Sequence, residues 1–480
     1  MRRPASGAAA RPRSRAALPA PALLLLALAA CGAVERSDES AAAPRPDLLL
    51  ITIDTLRADH LGCYGYARAT SPHIDRLCRE GVVFEVAYAP MGATGPSHAS
   101  LFTSRHPYTL GVVRNGLALP PEHTTLAQLL GDAGYHTAAF VSSFPLSSRF
   151  GFARGFAHYD DTFDEQRASL PRKRWAGQEV RGGFDRRAVD TTRALVEWLS
   201  AAPPTEPLFV WVHLFDPHEP FLAPPPYAGR FSRPAQDVGD RLTALYDEEI
   251  LYADAHVERI VAALEGSRRP RELLVVLSSD HGEGLLDHGW LGHNRYIYEE
   301  EVRVPLVFRW RGRLPAGLRV AQPAQLMDVV PTLLSLLGLP GDGLPLDGAD
   351  LSPFLTARAE AADPSRAVFL QRPYFPEGRP WVDRKERGWG FGLRAGRWKY
   401  FEAPEENRRE LYDLERDPRE RDNLADREPG RARELAGRLA RWRAEQGSAP
   451  PRVTAPLPPD VRDGLEALGY LGETERDAAE

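Results

Sequence analysis

The chain has 480 residues, 43% of them hydrophobic, enough to bury a large core and, on length alone, to hold roughly two to three domains. A formal net charge of -6 with 26% charged residues describes an ordinary surface and excludes a strongly basic nucleic-acid binder. The 43 Pro and 40 Gly exclude a plain helical bundle and point to a loop-rich fold.

Arg2, Arg3, Arg11, Arg13 and Arg15 precede an apolar run from Ala16 to Ala30, broken by Pro19 and Pro21 and ending at Cys31. That is the layout of an export signal, and the run falls short of the about 20 residues a spanning helix needs. Leu28-Ala29-Ala30-Cys31 also resembles the bacterial lipobox, in which the Cys is acylated and becomes the mature N-terminus. Residues 1–31 are therefore read as a signal peptide with lipobox, and 32–45 as a linker. The expected location is exported and membrane-anchored through Cys31, on the periplasmic or cell-surface side.

Asp47 to Ile53 is a continuous apolar run of strand length stopped by Asp54, as expected of a central parallel strand buried on both faces. Cys63 and Cys78 can pair in an oxidising compartment or serve as small core residues; the buried character of Leu61-Gly62-Cys63-Tyr64 favours the second. Thr94-Gly95-Pro96-Ser97-His98 reads as a loop feeding a helix. A hydroxyl at Thr94 would then stand at a helix N-terminus, where free amides and the dipole favour an anion; a plain cap is the alternative role.

Leu126 to Ala133 is a short amphipathic helix, His136 to Ser142 a strand, and Asp190 to Ser200 a helix. Leu208 to Leu214 is another buried strand, ending in Phe215-Asp216-Pro217-His218. Residues 242 to 264 form a long helix placed as a crossover connection between parallel strands. Leu273 to Ser279 repeats the strand design and stops at Asp280-His281-Gly282-Glu283. Val302 to Phe308 is a later strand, and Asp328 to Leu337 a helix with Pro331 in its first turn. Beyond about residue 360 come short strands at Arg366–Arg372, Gly390–Leu393, Trp398–Phe401 and Glu410–Leu414, then a charged helix at 427–445. Segments 160–188 and 372–390, the second with Tyr374, Phe375 and Trp381, are read as rim loops suited to an anionic or sugar-like ligand.

Binding sites of open α/β sheets gather at the carboxyl ends of strands. Collecting those ends yields Asp54, Thr94, Asp280 and His281 as one cluster, with His98, Asp216, His218, His288 and His293 as neighbours. Two carboxylates, an imidazole and a hydroxyl make a ligand set for a divalent ion that would activate the Thr94 hydroxyl. An imidazole ligand favours zinc or manganese, with calcium as the further option.

In order and spacing these motifs resemble the sulfatases of the alkaline phosphatase superfamily, over about residues 46 to 472. The marks are Ile53-Asp54-Thr55-Leu56-Arg57-Ala58-Asp59-His60, the Thr94 loop through Arg105-His106-Pro107, Ser279-Asp280-His281-Gly282-Glu283, Tyr298-Glu299-Glu300, and the C-terminal Trp398-Lys399-Tyr400 and Leu411-Tyr412-Asp413. The resemblance implies an alkaline-phosphatase-like α/β fold: a mostly parallel central sheet flanked by helices in a catalytic domain at 46–360, and a smaller antiparallel-sheet subdomain at 361–472. It implies an ester hydrolase of the sulfatase or phosphodiesterase type.

Four departures separate the chain from sulfatases that use formylglycine, one being that Val141-Ser142-Ser143-Phe144-Pro145-Leu146 stands in the region where they carry a Gly-Lys-Trp-His-Leu-Gly stretch. Thr94 stands where they have Cys or Ser and cannot be converted, so no formylglycine is expected. His98 replaces an Arg, and Gly292-His293-Asn294 replaces a Lys-bearing stretch. Thr94-Gly95-Pro96-Ser97-His98 instead resembles the Thr-x-Pro-x-His pattern of the nucleotide phosphodiesterases, whose site also resembles the phosphoethanolamine transferases. That likeness implies Thr94 as nucleophile, with His98, Asn115, His218 and His293 as further catalytic residues and Asp54, Thr94, Asp280 and His281 as metal ligands. The implied substrate is an anionic sulfate or phosphate ester of a small molecule, glycan or lipid. Headgroup transfer, or ligand binding on an inactive scaffold, are the other two readings.

Overall fold

The computed structural model describes residues 44–447, apart from 164–172, 176–177, 181–184, 204, 235–236, 268, 359–361 and 376–385. The export signal, Cys31, the linker to residue 43, Trp381 and most of segment 160–188 lie outside the described residues. Among the described residues no helix is long and apolar enough to cross a membrane.

Continuous apolar runs place three strands side by side at the centre of the molecule: β1 (Asp47–Ile53), β5 (Leu208–Leu214) and β6 (Leu273–Ser279). Five more complete the sheet: β2 (Val82–Phe84), β3 (His136–Phe140), β4 (His158–Asp160), β7 (Leu306–Trp310) and β8 (Leu318–Val320). The order is β8-β2-β7-β6-β1-β5-β3-β4. Within it β7 runs against both its neighbours and the other pairings are parallel.

Alternate residues of the central strands face two helical layers, which is why these runs carry no polar alternation. Leu48, Leu50, Phe209, Trp211, Leu274 and Val276 pack on one side, with Ala99, Leu101 and Phe102 of α2 (Thr94–Thr103) and with α3 (Leu126–Asp132) and α6 (Val329–Leu336). Leu49, Ile51, Val210, Val212 and Val275 pack on the other, with α1 (Pro72–Glu80), α4 (Ala188–Leu199) and α5 (Val238–Gly266). Each such side chain, taken fully from water, contributes about 1.5–3 kcal/mol before chain entropy is subtracted. The α5 helix starts earlier than its apolar pattern because Asp237 accepts from the Asp240 amide and caps it.

A separate antiparallel sheet of four strands follows: β9 (Val368–Phe375), β10 (Gly388–Ala395), β11 (Trp398–Ala403) and β12 (Arg408–Asp413). The helix α7 (Pro429–Glu445) lies on it through Ala432, Leu435, Leu439 and Trp442. Tyr108, shortly after the end of α2, ties this sheet to the larger layer by meeting Phe391 at 5.6 Å between ring centroids.

Three sequence readings are corrected. Cys63 and Cys78 are joined as a disulfide, their Cα atoms 6.3 Å apart, although both also border the apolar core. The single strand expected over 302–308 is split at Pro305: Arg303–Val304 pairs with Ala87–Tyr88, and the next residues enter the large sheet as β7. Proline has no amide hydrogen to keep one ladder running. Residues 372–375 belong to β9 and are no rim loop, with Tyr374 against Trp389 at 5.4 Å.

Candidate active site

The registers Ile53 with Leu214 and Ile53 with Ser279 bring three strand ends level, so Asp54, Phe215 and Asp280 leave the sheet side by side. The chain turns immediately after β1, where Thr55 adopts φ 56°. A β-branched residue rarely takes that left-handed conformation, and such strain is held only where surrounding bonds over-determine it. Here they do: Thr55 N–H donates to Asp280 Oδ1 at 3.2 Å, and the Tyr246 hydroxyl of α5 donates to the Thr55 carbonyl at 2.7 Å. Gly282 is required after His281, because a Cβ there would sit 2.0 Å from the Glu300 carbonyl oxygen.

Thr94 is the first residue of α2 and is fully buried, its Oγ1 3.3 Å from His281 Nε2. His281 Nδ1 donates to the Gly282 carbonyl at 2.9 Å, leaving Nε2 as the lone-pair nitrogen. Nε2 lies 3.5 Å from Asp280 Oδ2 and 3.7 Å from Asp54 Oδ1. Asp54 Oδ1 and Oδ2 and Asp280 Oδ2 are all buried without a hydrogen-bond partner. Burial pushes the Asp54 carboxyl up to about 7, with His281 opposing and Glu283 adding to the shift. Burial, then the nearby Asp54, lifts Asp280 to about 6, and burial pushes His281 down to about 3.

Three carboxylate oxygens without a hydrogen-bond partner converge here beside the His281 Nε2 lone pair, which the Thr94 hydroxyl meets at 3.3 Å. One donor atom from each of Asp54, Asp280 and His281 lies within 4.8 Å of the others. Leaving buried carboxylates so exposed to one another costs several kcal/mol, and a divalent cation removes that cost. The separations of 3.5 and 3.7 Å are close to the roughly 3.4 Å kept by ligands about 2.1 Å from one tetrahedral ion. These residues therefore fit a divalent metal, and an imidazole among them suits zinc or manganese better than calcium.

Metal and protons compete for these carboxylates, which titrate as a coupled pair. His281 is already neutral above about 3 and contributes no proton. Zinc affinity measured by competition is thus expected to be level above pH 8 and to fall below pH 7. The slope should steepen toward two protons per ion below pH 6, whereas a flat profile from pH 8 to 5 would contradict the ligand assignment.

His98 is held differently. Its Nδ1 donates to the Thr94 carbonyl at 2.9 Å, so Nε2 accepts from the Thr52 hydroxyl at 3.0 Å. Thr52 Oγ1 in turn accepts from Trp211 Nε1 at 3.0 Å. With burial holding its pKa at about 3, His98 is a neutral strut between the first turn of α2 and β1, 3.7 Å from Asp280 Oδ2. Asn115 Oδ1 accepts from Gly95 N–H at 2.7 Å and Nδ2 is buried without a partner, a donor at the helix N-terminus.

His218 and His293 form one wall, their rings edge to face at 5.0 Å, with His293 4.5 Å from the His281 ring. His218 Nδ1 donates to the Glu219 carbonyl and its ring stacks on Phe215 at 4.5 Å. His293 Nδ1 faces Glu283 Oε1 at 3.3 Å. Burial depresses both imidazoles, His293 to about 4, so both are neutral near pH 7.

Two of the expected neighbours stand elsewhere. Asp216 caps α4 by accepting from Ala188 N–H at 2.8 Å and pairs with Arg187 at 3.0 Å. His288 is stacked on Tyr298 at 3.8 Å and bonded to Glu300. Two residues without an assigned role belong to the site instead. Glu283 orients His293, and His213, inside β5, places Nε2 3.5 Å from Asp54 Oδ2. The sequence signal for His213 was a lone imidazole within an otherwise apolar strand, one residue before its end.

Comparison with known proteins adds lineage to this geometry. The sulfatase family model matches residues 46–339, and a model for the C-terminal part of N-sulphoglucosamine sulphohydrolase matches 286–444. The chain is 27% identical to steryl-sulfatase of Mus musculus over 423 residues, spanning 65% of this chain and 65% of that relative. It is 27% identical to Delta 4,5-hexuronate-2-O-sulfatase of Bacteroides thetaiotaomicron over 453 residues, spanning 83% of this chain and 88% of that one. Among solved structures, phosphonate monoester hydrolase of Agrobacterium radiobacter superposes with a TM-score of 0.68 at 23% identity, covering 84% of this chain and 96% of that one. A protein in complex with its substrate D-glucosamine-2-N,6-O-disulfate superposes with a TM-score of 0.69 at 20% identity, covering 86% of this chain and 100% of that one.

Proposed function

The chain belongs to the sulfatase family, whose model covers residues 46–339, and from that premise we propose a metal-dependent hydrolase of sulfate or phosphate esters with Thr94 as its nucleophile. The observation that carries the reading is the buried Thr94 hydroxyl at the start of α2, facing His281 Nε2 at 3.3 Å beside the unpartnered oxygens of Asp54 and Asp280. Asp54, Asp280 and His281, with Thr94, would hold the ion, which when bound supplies Lewis acidity to the hydroxyl and to a substrate oxygen.

The chain's own residues do the rest. Thr94 Oγ1 attacks sulfur or phosphorus in line; the bond to the ester oxygen breaks, the alcohol leaves, and a threonyl ester remains for water to hydrolyse. The Asn115 Nδ2 donor, its amide oxygen anchored by the Gly95 N–H at the head of α2, faces the non-bridging oxygens, where negative charge accumulates. His98 acts through the Thr94 carbonyl and is a positioning residue. His218 and His293 line the opposite wall, where a neutral imidazole takes up the proton that Thr94 Oγ1 releases and, as imidazolium, returns it to the leaving alcohol.

Thr94 lacks the second hydroxyl through which a formylglycine hydrate expels its ester by elimination, so its ester must be cleared by water. Direct attack on phosphorus suits that step, and the fold shared with a phosphonate monoester hydrolase accords with it. The relatives named for sulfate esters support the other half of the proposal. Export and lipid anchoring at Cys31 are part of the same reading. A disulfide at Cys63–Cys78 suits an oxidising compartment.

The test is turnover of zinc- or manganese-loaded protein on matched aryl sulfate, aryl phosphate monoester, aryl phosphodiester and aryl phosphonate monoester substrates. Turnover of at least one class, lost on chelation, is expected. Silence on all four with the metal in place would overturn the hydrolase reading.

A further inference from the structure

We infer that His213 is a second imidazole ligand of the metal held by Asp54, Asp280 and His281. The inference rests on the reading of those three residues as a metal site and adds to it a donor from inside β5. His213 is fully buried, and neither ring nitrogen has a hydrogen-bond partner. Its backbone is fixed, paired in register with Thr52 on β1 and with its carbonyl accepting from the Ser142 hydroxyl at 2.6 Å. The ring is fixed as well, edge to face with His98 at 5.1 Å between centroids.

Nε2 of this ring lies 3.5 Å from Asp54 Oδ2, an oxygen that itself has no hydrogen-bond partner. A lone pair facing a carboxylate is repulsive, and a proton shared across that separation makes at best a long bond. A cation seated between them satisfies both atoms, with Nδ1 carrying the ring proton. The separation equals that between His281 Nε2 and Asp280 Oδ2, so both imidazoles stand at ligand spacing from a carboxylate. His213 also groups with Asp280 and His98, one donor atom of each within 4.8 Å of the others. His98 is excluded as the donor there because its Nδ1–H is committed to the Thr94 carbonyl and its Nε2 to Thr52. Asp280 is thus common to the two groups; neither group holds both His213 and His281, so a single ion bound by both draws their donor atoms closer together than they stand here.

The experiment uses the full chain loaded with zinc alone and asks for ligand count as well as affinity. X-ray absorption of the wild-type protein should show two imidazoles on one zinc per chain, and His213→Gln and His213→Phe should each show one. Zinc dissociation constants of both variants should rise at least 10-fold, while circular dichroism and melting in chelator stay those of a folded chain. One imidazole in the wild type, or variants binding zinc as tightly as it does, would overturn the inference. Two zinc ions per chain would overturn the shared ion. An Asp280→Asn control separates the failures: if it too leaves zinc affinity unchanged, the metal site itself is wrong.

Discussion

Replacing Thr94 by alanine should lower turnover by about 10⁴-fold or more, the scale seen when a nucleophile is removed from an otherwise intact hydrolase site. The change deletes one hydroxyl from a fully buried position at the head of α2. It leaves untouched the Thr94 carbonyl that His98 holds and the Gly95 amide that Asn115 holds. Alanine is also the better helix former, so melting temperature should change by little. Thr94→Ser, which keeps the hydroxyl, should retain measurable activity. A stable alanine variant with wild-type turnover would mean that water attacks directly and that Thr94 is only a ligand or a cap. With the wild-type enzyme, denaturing quench during turnover of a labelled ester should trap label on Thr94.

Asp54→Asn should have opposite effects on binding and on stability. The side chain contributes two buried oxygens with no hydrogen-bond partner, 3.5 and 3.7 Å from two imidazole nitrogens. Losing it should weaken zinc binding by more than the about 10- to 100-fold typical of a residue that only supports a ligand, and abolish turnover at micromolar metal. In chelator the same variant should be more stable than wild type at pH 8, by about 1–4 kcal/mol, because a buried unpaired charge is gone.

The sign follows from linkage. Burial raises Asp54 to about 7, against about 3.9 in the unfolded chain, so the folded wild type binds more protons between those values and loses stability as pH rises through them. The stability advantage of the Asp54→Asn variant should therefore shrink from pH 8 to pH 5. Urea melts of the stripped proteins at both pH values measure it, and an Asp54→Asn chain less stable in chelator at pH 8 would contradict the picture of a destabilised, metal-awaiting site.

Both experiments bear on one trade-off. The residues that would hold the ion, and those around them, are ones the isolated fold holds at a loss: two carboxylates side by side, several neutral buried imidazoles, and a β-branched Thr55 at φ 56°. Folding stability elsewhere sustains them, chiefly the two apolar layers around β1, β5 and β6.

Much of this architecture was legible along the chain. Unbroken apolar runs carry their own strand signal, and Leu208–Leu214 and Leu273–Ser279 form strands with those same bounds. Because such runs end where polar residues begin, Asp54, Asp280 and His281 could be assigned to one edge of the sheet before any contact was known. Thr94 at a helix start was readable from Gly95 and Pro96 and the helical pattern after them. What the sequence by itself determined is therefore the set of local states and the residue types at their ends.

The tertiary structure decided which of those residues share a space. Asp216 and His288 follow strand ends and motifs just as Asp54 does, yet Arg187 and Glu300 draw them away. His213 is hidden within an apolar run, and only the register against Thr52 brings it beside Asp54. Cys63 and Cys78 were as compatible with the core as with each other until the turn before α1 brought them together. The reason is common to all: helix and strand signals arise from neighbours a few residues apart, whereas ligand spacing, ion pairing and disulfide bonding depend on distances between segments that packing alone sets.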